Sequence, residues 1–294
     1  MNFLTIDLED WQPLADKWVG GVPSRPNGPV DLQVDRIRRL LDKAGVRATF
    51  FCLGITAEKW PGVIRTLAAE GHEIASHGYS HAATYLLSPE QFAEDIRRAQ
   101  DVLGNLTGYA PSGYRAPQFS ITRRTWWALE ILAAQGLRYD SSVFPIVHRR
   151  YGIAGFSRYP CRISTPAGTL IELPLATAKR FGANIPVAGG GYFRYFPQSV
   201  VLGLLRGMDR DAVPCTTYFH PYEFDPGTLR LSVTPTSLRH RLRCLFFAAH
   251  QNLGRRSVSR KVAALLKSLS FSTCIQYVSS LSTHANELLE YHCT

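Results

Sequence analysis

The chain has 294 residues, 45% of them hydrophobic and 19% charged, with a formal net charge of +10. That length accommodates one α/β barrel with a modest addition, and the composition excludes a disordered or low-complexity protein. No apolar run reaches the ~20 residues of a membrane span, and six cysteines without a C-x2-C pair argue against a thiolate zinc site or a disulfide framework.

The first element reads as a strand, Asn2-Phe-Leu-Thr-Ile-Asp7, that ends in acid: Asp7, Glu9 and Asp10, followed by Trp11. Carboxylates this close repel one another unless a cation or proton intervenes, so the tip points to metal binding or acid–base work. A solvated turn with an acidic helix start is the plain alternative. Residues 31–43 read as an amphipathic helix with Leu32, Ile37, Leu40 and Leu41 on one side and Gly45 as its stop. Residues 47–53 read as a strand, and residues 56–70 as a helix that Pro61 interrupts early. Glu73-Ile-Ala-Ser76 reads as a short buried strand delivering His77 and His81. Two imidazoles four residues apart are expected on one face of a helical turn, where they can grip one metal ion. Taken alone, the pair reads equally well as two solvated histidines.

Ser88-Pro-Glu-Gln91 is a capping box with proline at the first helical position, opening a helix to about Leu106. Arg115 follows a short apolar stretch, Thr122 caps a helix to Gln135, and Tyr139-Asp140 adds a further carboxylate. A strand over residues 214–219 ends in His220, which can titrate near neutral pH and donate a proton. Strand and helix alternate, which implies parallel strands with helical crossovers. Five polar clusters, each closing a predicted strand, are expected to share one site. Trp126 and Trp127 read as core, Trp11 as a platform for a sugar ring, and Gly189-Gly-Gly191 as a loop that lets backbone approach the site.

In order, Asp7 with Glu9 and Asp10, His77-Gly-Tyr-Ser-His81, Arg115-Ala-Pro117, Asp140 and Phe219-His220 resemble the motifs of the NodB-type polysaccharide deacetylases, carbohydrate esterase family 4. Asp7-Leu-Glu-Asp-Trp11, Tyr139-Asp-Ser-Ser142, Gly189-Gly-Gly-Tyr-Phe-Arg194 and His220-Pro-Tyr-Glu-Phe-Asp225 are similar, more narrowly, to the exosortase (PEP-CTERM)-associated polysaccharide deacetylases. The resemblance implies an α/β fold, a distorted (β/α) barrel over residues 1–225, with a basic helical C-terminal extension over residues 226–294 packed on or beside it. It also implies a metal-dependent hydrolase that removes N-acetyl groups from N-acetylhexosamine units of an exopolysaccharide or its lipid-linked precursor. The implied cofactor is a divalent metal, zinc foremost, held by His77, His81 and Glu9 or Asp10. Asp7, oriented by Arg115, is the implied general base, and His220, tuned by Asp140, the general acid. Trp11, Pro117, Gln118 and Tyr222 are expected to meet the substrate.

The chain departs from the family pattern in three places. Leu8 follows Asp7 where the family has a second aspartate, Gln118 replaces an aromatic, and no tryptophan follows Asp140. On strict strand alternation Glu9 faces the same way as Asp7. The preference here is nevertheless Asp10, because a chain leaving a strand end usually turns. One carboxylate and two neutral imidazoles leave a tetrahedral zinc open at its fourth position, as a catalytic site requires. Such an ion polarises an acetamide carbonyl and activates water, and a backbone N–H near Gln118 is expected to help hold the oxyanion.

The charge is local. Residues 226–286 contain no Asp or Glu and nine Lys or Arg, among Leu242, Leu245, Phe246, Phe247, Val262, Leu265, Leu266 and Leu269. One or two amphipathic helices with a solvated basic face are the plain expectation; contact with an anionic membrane surface or a lipid-linked saccharide is the functional one. Nucleic acid is not an expected partner. The strand starting at Asn2 leaves no room for a leader, so a cytoplasmic protein is expected, or one peripheral to the inner face of the membrane. Two alternatives stand beside the deacetylase: a cyclic amide or imide amidohydrolase, and a non-catalytic glycan- or lipid-binding module. Asp7, Asp140 and His220 together favour catalysis, since binding alone needs no proton donor opposite a metal.

Overall fold

The strands are β1 (Phe3–Leu8), β2 (Thr49–Cys52), β3 (Glu73–Ser76), β4 (Gly113–Tyr114), β5 (Tyr139–Asp140), β6 (Cys161–Thr165), β7 (Gly168–Glu172), β8 (Thr177–Arg180), β9 (Ala183–Pro186), β10 (Thr216–Phe219) and β11 (Leu289–His292). The helices are α1 (Val30–Ala44), α2 (Gly54–Lys59), α3 (Pro61–Ala69), α4 (Pro89–Thr107), α5 (Trp127–Ala134), α6 (Gly190–Tyr195), α7 (Gln198–Arg210), α8 (Leu238–Asn252), α9 (Val258–Leu266) and α10 (Cys274–Leu281). This computed structural model describes residues 1–10, 19, 30–187, 189–229, 231, 235–281 and 288–292.

The sheet runs β10-β1-β2-β3-β4-β5-β7-β6-β11 and is parallel except where β6 meets β7. A bridge between Leu175, just beyond β7, and Thr216 of β10 closes the parallel strands into a ring. The expected α/β architecture is therefore present, as a distorted barrel. Strands β1 to β5 are buried along their whole length because both faces are covered. Leu4, Ile6 and Leu8 face outward into a core shared with Val34, Ile37 and Leu41 of α1. Phe3 faces the barrel interior with Phe51, Ala75 and Tyr139. By alternation Thr5 and Asp7 share the interior side with Phe3, and residue 9 is the next in that row.

Local chemistry explains the helix ends. Ser88 and Gln91 form both bonds of the capping box at α4, and Pro61 divides the expected 56–70 helix into α2 and α3. Leu32, expected on the buried side of α1, is 54% exposed. The inner face is instead Val30, Val34, Ile37 and Leu41, which follow the four-three-four spacing that Leu32 breaks.

The chain's last third is built into the barrel. Val258, Val262 and Leu265 of α9 join the main core, and β11 adds an edge strand beside β6. Helix α10 closes the floor: Cys274 N–H donates to Thr49 Oγ1 at 2.9 Å, and Ile275 N–H to Glu73 Oε2 at 3.0 Å. Tyr139 OH donates to the other Glu73 oxygen at 2.7 Å. No helix among the described residues is long and apolar enough to cross a membrane.

Gly113 is required by this packing, because a Cβ there would lie 1.9 Å from Cζ of the Tyr139 ring. Gly113→Ala is expected to destabilise the fold by about 2 kcal/mol or more, as overpacking a filled core does. Denaturant unfolding measures this directly, and an unchanged midpoint would contradict the packing described.

Candidate metal centre and proton-transfer site

Glu9, His77 and His81 converge: one ligand atom from each lies within 4.8 Å of the others. His81 Nε2 is 2.7 Å from Glu9 Oε2, yet that oxygen has no properly aligned donor. His77 Nδ1 lies 2.8 Å from the backbone oxygen of Arg115. A carbonyl can only accept, so Nδ1 carries the proton and Nε2 presents its lone pair to the cluster. Burial holds His77 below its usual pKa, in the neutral form a ligand must have. Burial alone would raise the Glu9 carboxyl, but His81, His220 and His77 outweigh it and hold Glu9 at about 2. Burial pulls His81 down, but the Glu9 carboxylate outweighs it and raises the imidazole, so a cation bound here must displace that proton. The donor set itself fits a divalent cation.

Two expectations about this cluster need correction. Glu9, not Asp10, supplies the converging carboxylate; strand alternation persists past Leu8, so residue 9 keeps the orientation of Asp7, and its longer side chain gives the reach. Asp10 is half-buried and outside the cluster. The histidines also stand on a loop rather than a helical turn. That loop bends at Gly78 (φ 78°) and at His81 itself (φ 62°), a left-handed conformation that a non-glycine residue keeps only under constraint. Asp95 of α4 supplies the constraint by accepting the backbone N–H groups of Tyr79 at 2.7 Å and Ser80 at 3.0 Å. A Cβ on Gly78 would come within 2.8 Å of that carboxylate.

Asp7 and Arg115 pair as expected. Arg115 is fully buried; its Nη1 donates to Asp7 Oδ1 at 2.7 Å and to Thr5 Oγ1 at 2.6 Å. Its Nε and Nη2 donate to the backbone oxygen and Oγ of Ser141, and Phe51 lies under the guanidinium at 4.0 Å. Asp7 is thereby held in one orientation.

His220, at the tip of β10, faces the cluster with Nε2 3.3 Å from Glu9 Oε1. Its carboxylate partner is Glu223, whose Oε2 accepts the His220 backbone N–H at 3.0 Å and lies 3.5 Å from Nδ1. Burial pulls the imidazole down, but Glu223, then Glu9 and Asp7, outweigh it and raise His220 to about 9. Glu223 is in turn flanked by the buried Arg194, Nε to Oε1 3.6 Å. The glycine run expected as a loop instead opens helix α6 at Gly190, where a Cβ would fall 1.9 Å from Glu223 Oε2, so the glycine admits this carboxylate.

Asp140 does not tune His220. Its oxygens accept Ser142 Oγ–H at 2.6 Å and Ser142 N–H at 3.1 Å. Burial raises both Asp140 and the neighbouring Glu172, and for Glu172 the Asp140 carboxylate adds to the rise. Tyr222 is only 4% exposed and stacks on His220 with centroids 5.5 Å apart, so it backs the imidazole. Pro117 is buried and Gln118 half-buried, with Gln118 in left-handed backbone (φ 59°) beside the loop of His77. Trp11 lies outside the described residues.

Sequence reasoning passed over Asp95, Glu172, Arg194 and Glu223. One signal was readable: Glu223 stands three residues after His220 across a proline, the spacing of a capping box, and that box is formed here.

Residues 27–139 match the polysaccharide deacetylase family and residues 141–279 match a domain of unknown function, DUF3473. The first segment carries His77, His81 and Arg115; the second carries Glu172, Gly190, His220 and Glu223. The chain is 38% identical over 96 residues to a peptidoglycan-N-acetylglucosamine deacetylase of Bacillus cereus, covering 31% of this chain and 35% of that protein. It spans about a third of the length of the curated relatives it matches. The fold resembles that of a Mycobacterium smegmatis protein assigned as a polysaccharide deacetylase, with TM-score 0.63 and 20% identity over 100% of this chain and 94% of that one. It also resembles the Puue allantoinase, with TM-score 0.61 and 15% identity over 97% and 90%.

Proposed function

We propose that this chain, whose residues 27–139 match the polysaccharide deacetylase family, is a metal-dependent hydrolase removing N-acetyl groups from N-acetylhexosamine units of an exopolysaccharide or its lipid-linked precursor. The observation that carries this reading is the meeting of two functions at one cluster of strand tips. Glu9, His77 and His81 form a cation site on one side, and His220 stands 3.3 Å from Glu9 on the other. A binding module needs the first and has no use for the second.

A divalent ion bound by Glu9, His77 and His81, with zinc the best match to two imidazoles and a carboxylate, would supply a Lewis acid for the acetamide carbonyl. Asp7, fixed by Arg115, is placed to take the proton of an attacking water. His220 is charged at neutral pH through Glu223 and gives its Nε2 proton to the departing amine. Without that proton the amine is a poor leaving group and the tetrahedral adduct returns to substrate. Tyr222 and Glu223 hold the imidazole from behind and from one side. Pro117 lies beside Gly78 of the His77 loop, and Pro117 and Gln118 are the residues that would meet the acetyl group.

The test is acetate release from N-acetylhexosamine oligomers, from lipid-linked saccharides and from a cyclic ureide, each with and without chelator. Acetate from the sugars, lost on chelation and restored by added zinc, is the expected result. Ring opening of the ureide without acetate release would transfer the site to the amidohydrolase class.

A further inference from the structure

Helix α8 presents apolar side chains on two opposite faces. On one, Cys244 and Phe247 are buried with Tyr222 and Leu229. On the other, Leu238, Leu242, Leu245 and Phe246 are 72%, 58%, 58% and 74% exposed, and Leu253 at the helix end is 60% exposed. The spacing of four, three and one residues places these side chains on a single stripe. Scattered surface leucines need no explanation, but a continuous stripe of this size marks a contact surface. Arg239, Arg241 and Arg243 are exposed along its flanks, and the surrounding sequence from residue 226 to 286 has no carboxylate. An apolar stripe bordered by arginines is complementary to one kind of surface: acyl chains topped by anionic phosphates.

A second element has the same character. The β8–β9 turn carries Phe181 fully exposed at φ 49°, beside exposed Lys179 and Arg180. The turn follows the C-terminal end of β7, and α8 packs on the segment after β10, so both rise from the rim that carries His220.

We propose that α8 lies along the surface of an anionic lipid bilayer, with its leucine and phenylalanine stripe at the acyl boundary and its arginines at the phosphates. The inner side of the same helix backs Tyr222, which stacks on His220. The catalytic cleft therefore stands about one helix diameter, ~10 Å, above the lipid. That placement suits a glycan still attached to a lipid carrier. The choice of glycan rests on the deacetylase reading; the lipid contact does not.

The experiment sediments the full chain with vesicles of phosphatidylcholine alone and of phosphatidylcholine mixed with phosphatidylglycerol. Binding is expected to the mixed vesicles and to fall steeply with added salt. A variant carrying Leu242→Glu and Phe246→Glu is expected to bind at least tenfold more weakly, and each of Arg239→Ala, Arg241→Ala and Arg243→Ala roughly fivefold more weakly. These side chains are exposed, so unfolding temperature and acetate release from a soluble oligomer are expected to match the parent. If the parent releases no acetate yet binds vesicles, the deacetylase reading fails and the lipid contact stands. Absence of binding to mixed vesicles at low salt would overturn the proposal. So would a parent dimer that the double variant splits, which would give the stripe to a second copy of this chain.

Discussion

His81→Ala is expected to release the divalent ion and to lower deacetylation by roughly a thousandfold, the rate equivalent of several kcal/mol of Lewis-acid stabilisation. The substitution removes one of three converging donors and leaves Glu9 Oε2 without its nearest partner. Glu9→Ala is expected to behave in the same way, because Glu9 completes the set. Asp10→Ala is the decisive contrast: a half-buried residue outside the cluster, it is expected to leave metal content and turnover close to the parent. Elemental analysis of the purified proteins gives metal stoichiometry, and acetate release gives the rate. A His81→Ala protein that keeps one tightly held ion and full activity would remove the basis for the site.

His220→Ala is expected to lower turnover by ~100-fold or more while the ion stays bound. The separation of the two effects matters, since His220 opposes the cluster and is not one of its donors. Asp7→Asn should produce a similar loss from the other end of the proton path. Glu223→Gln keeps the shape of the side chain and the acceptor for the His220 backbone N–H but removes the charge that raises the imidazole. A smaller loss, of about tenfold, is expected there, with metal content again unchanged. Equal activity in parent and His220→Ala would mean that another group protonates the amine.

Much of the barrel was readable because its signals are local. Period-two and period-3.6 patterns, the Ser88 capping box and Pro61 marked element ends to within a few residues. The motif residues fall at strand tips, so their convergence followed from parallel strands ending on one rim. What escaped depended on contacts between distant segments. Asp95 braces a loop fifteen residues away, and Glu172 meets Asp140 only because β7 lies beside β5. Glu223 was hidden for a different reason: the resemblance supplied Asp140 as the partner of His220, and that expectation masked the carboxylate three residues beyond the histidine. The choice between Glu9 and Asp10 turned on whether a strand bends one residue earlier or later, which alternation alone answered correctly.

The two ends of the chain are sewn together. Asn2 donates to Ser270 O at 3.1 Å and to Asp209 Oδ1 at 2.8 Å, and its own carbonyl accepts Ser272 N–H at 3.0 Å. The strand that opens the sequence thus has one early neighbour, β2 (Thr49–Cys52), and one late one, β10 (Thr216–Phe219). During synthesis the acidic tip and the paired histidines are made long before their opposing imidazole at His220. Closing so long a loop is slow compared with forming local helices, which makes the nascent barrel dependent on protection from aggregation. Glu9, His77 and His81 all lie just beyond β1 and β3, so the cation's donors are in hand before the ring closes.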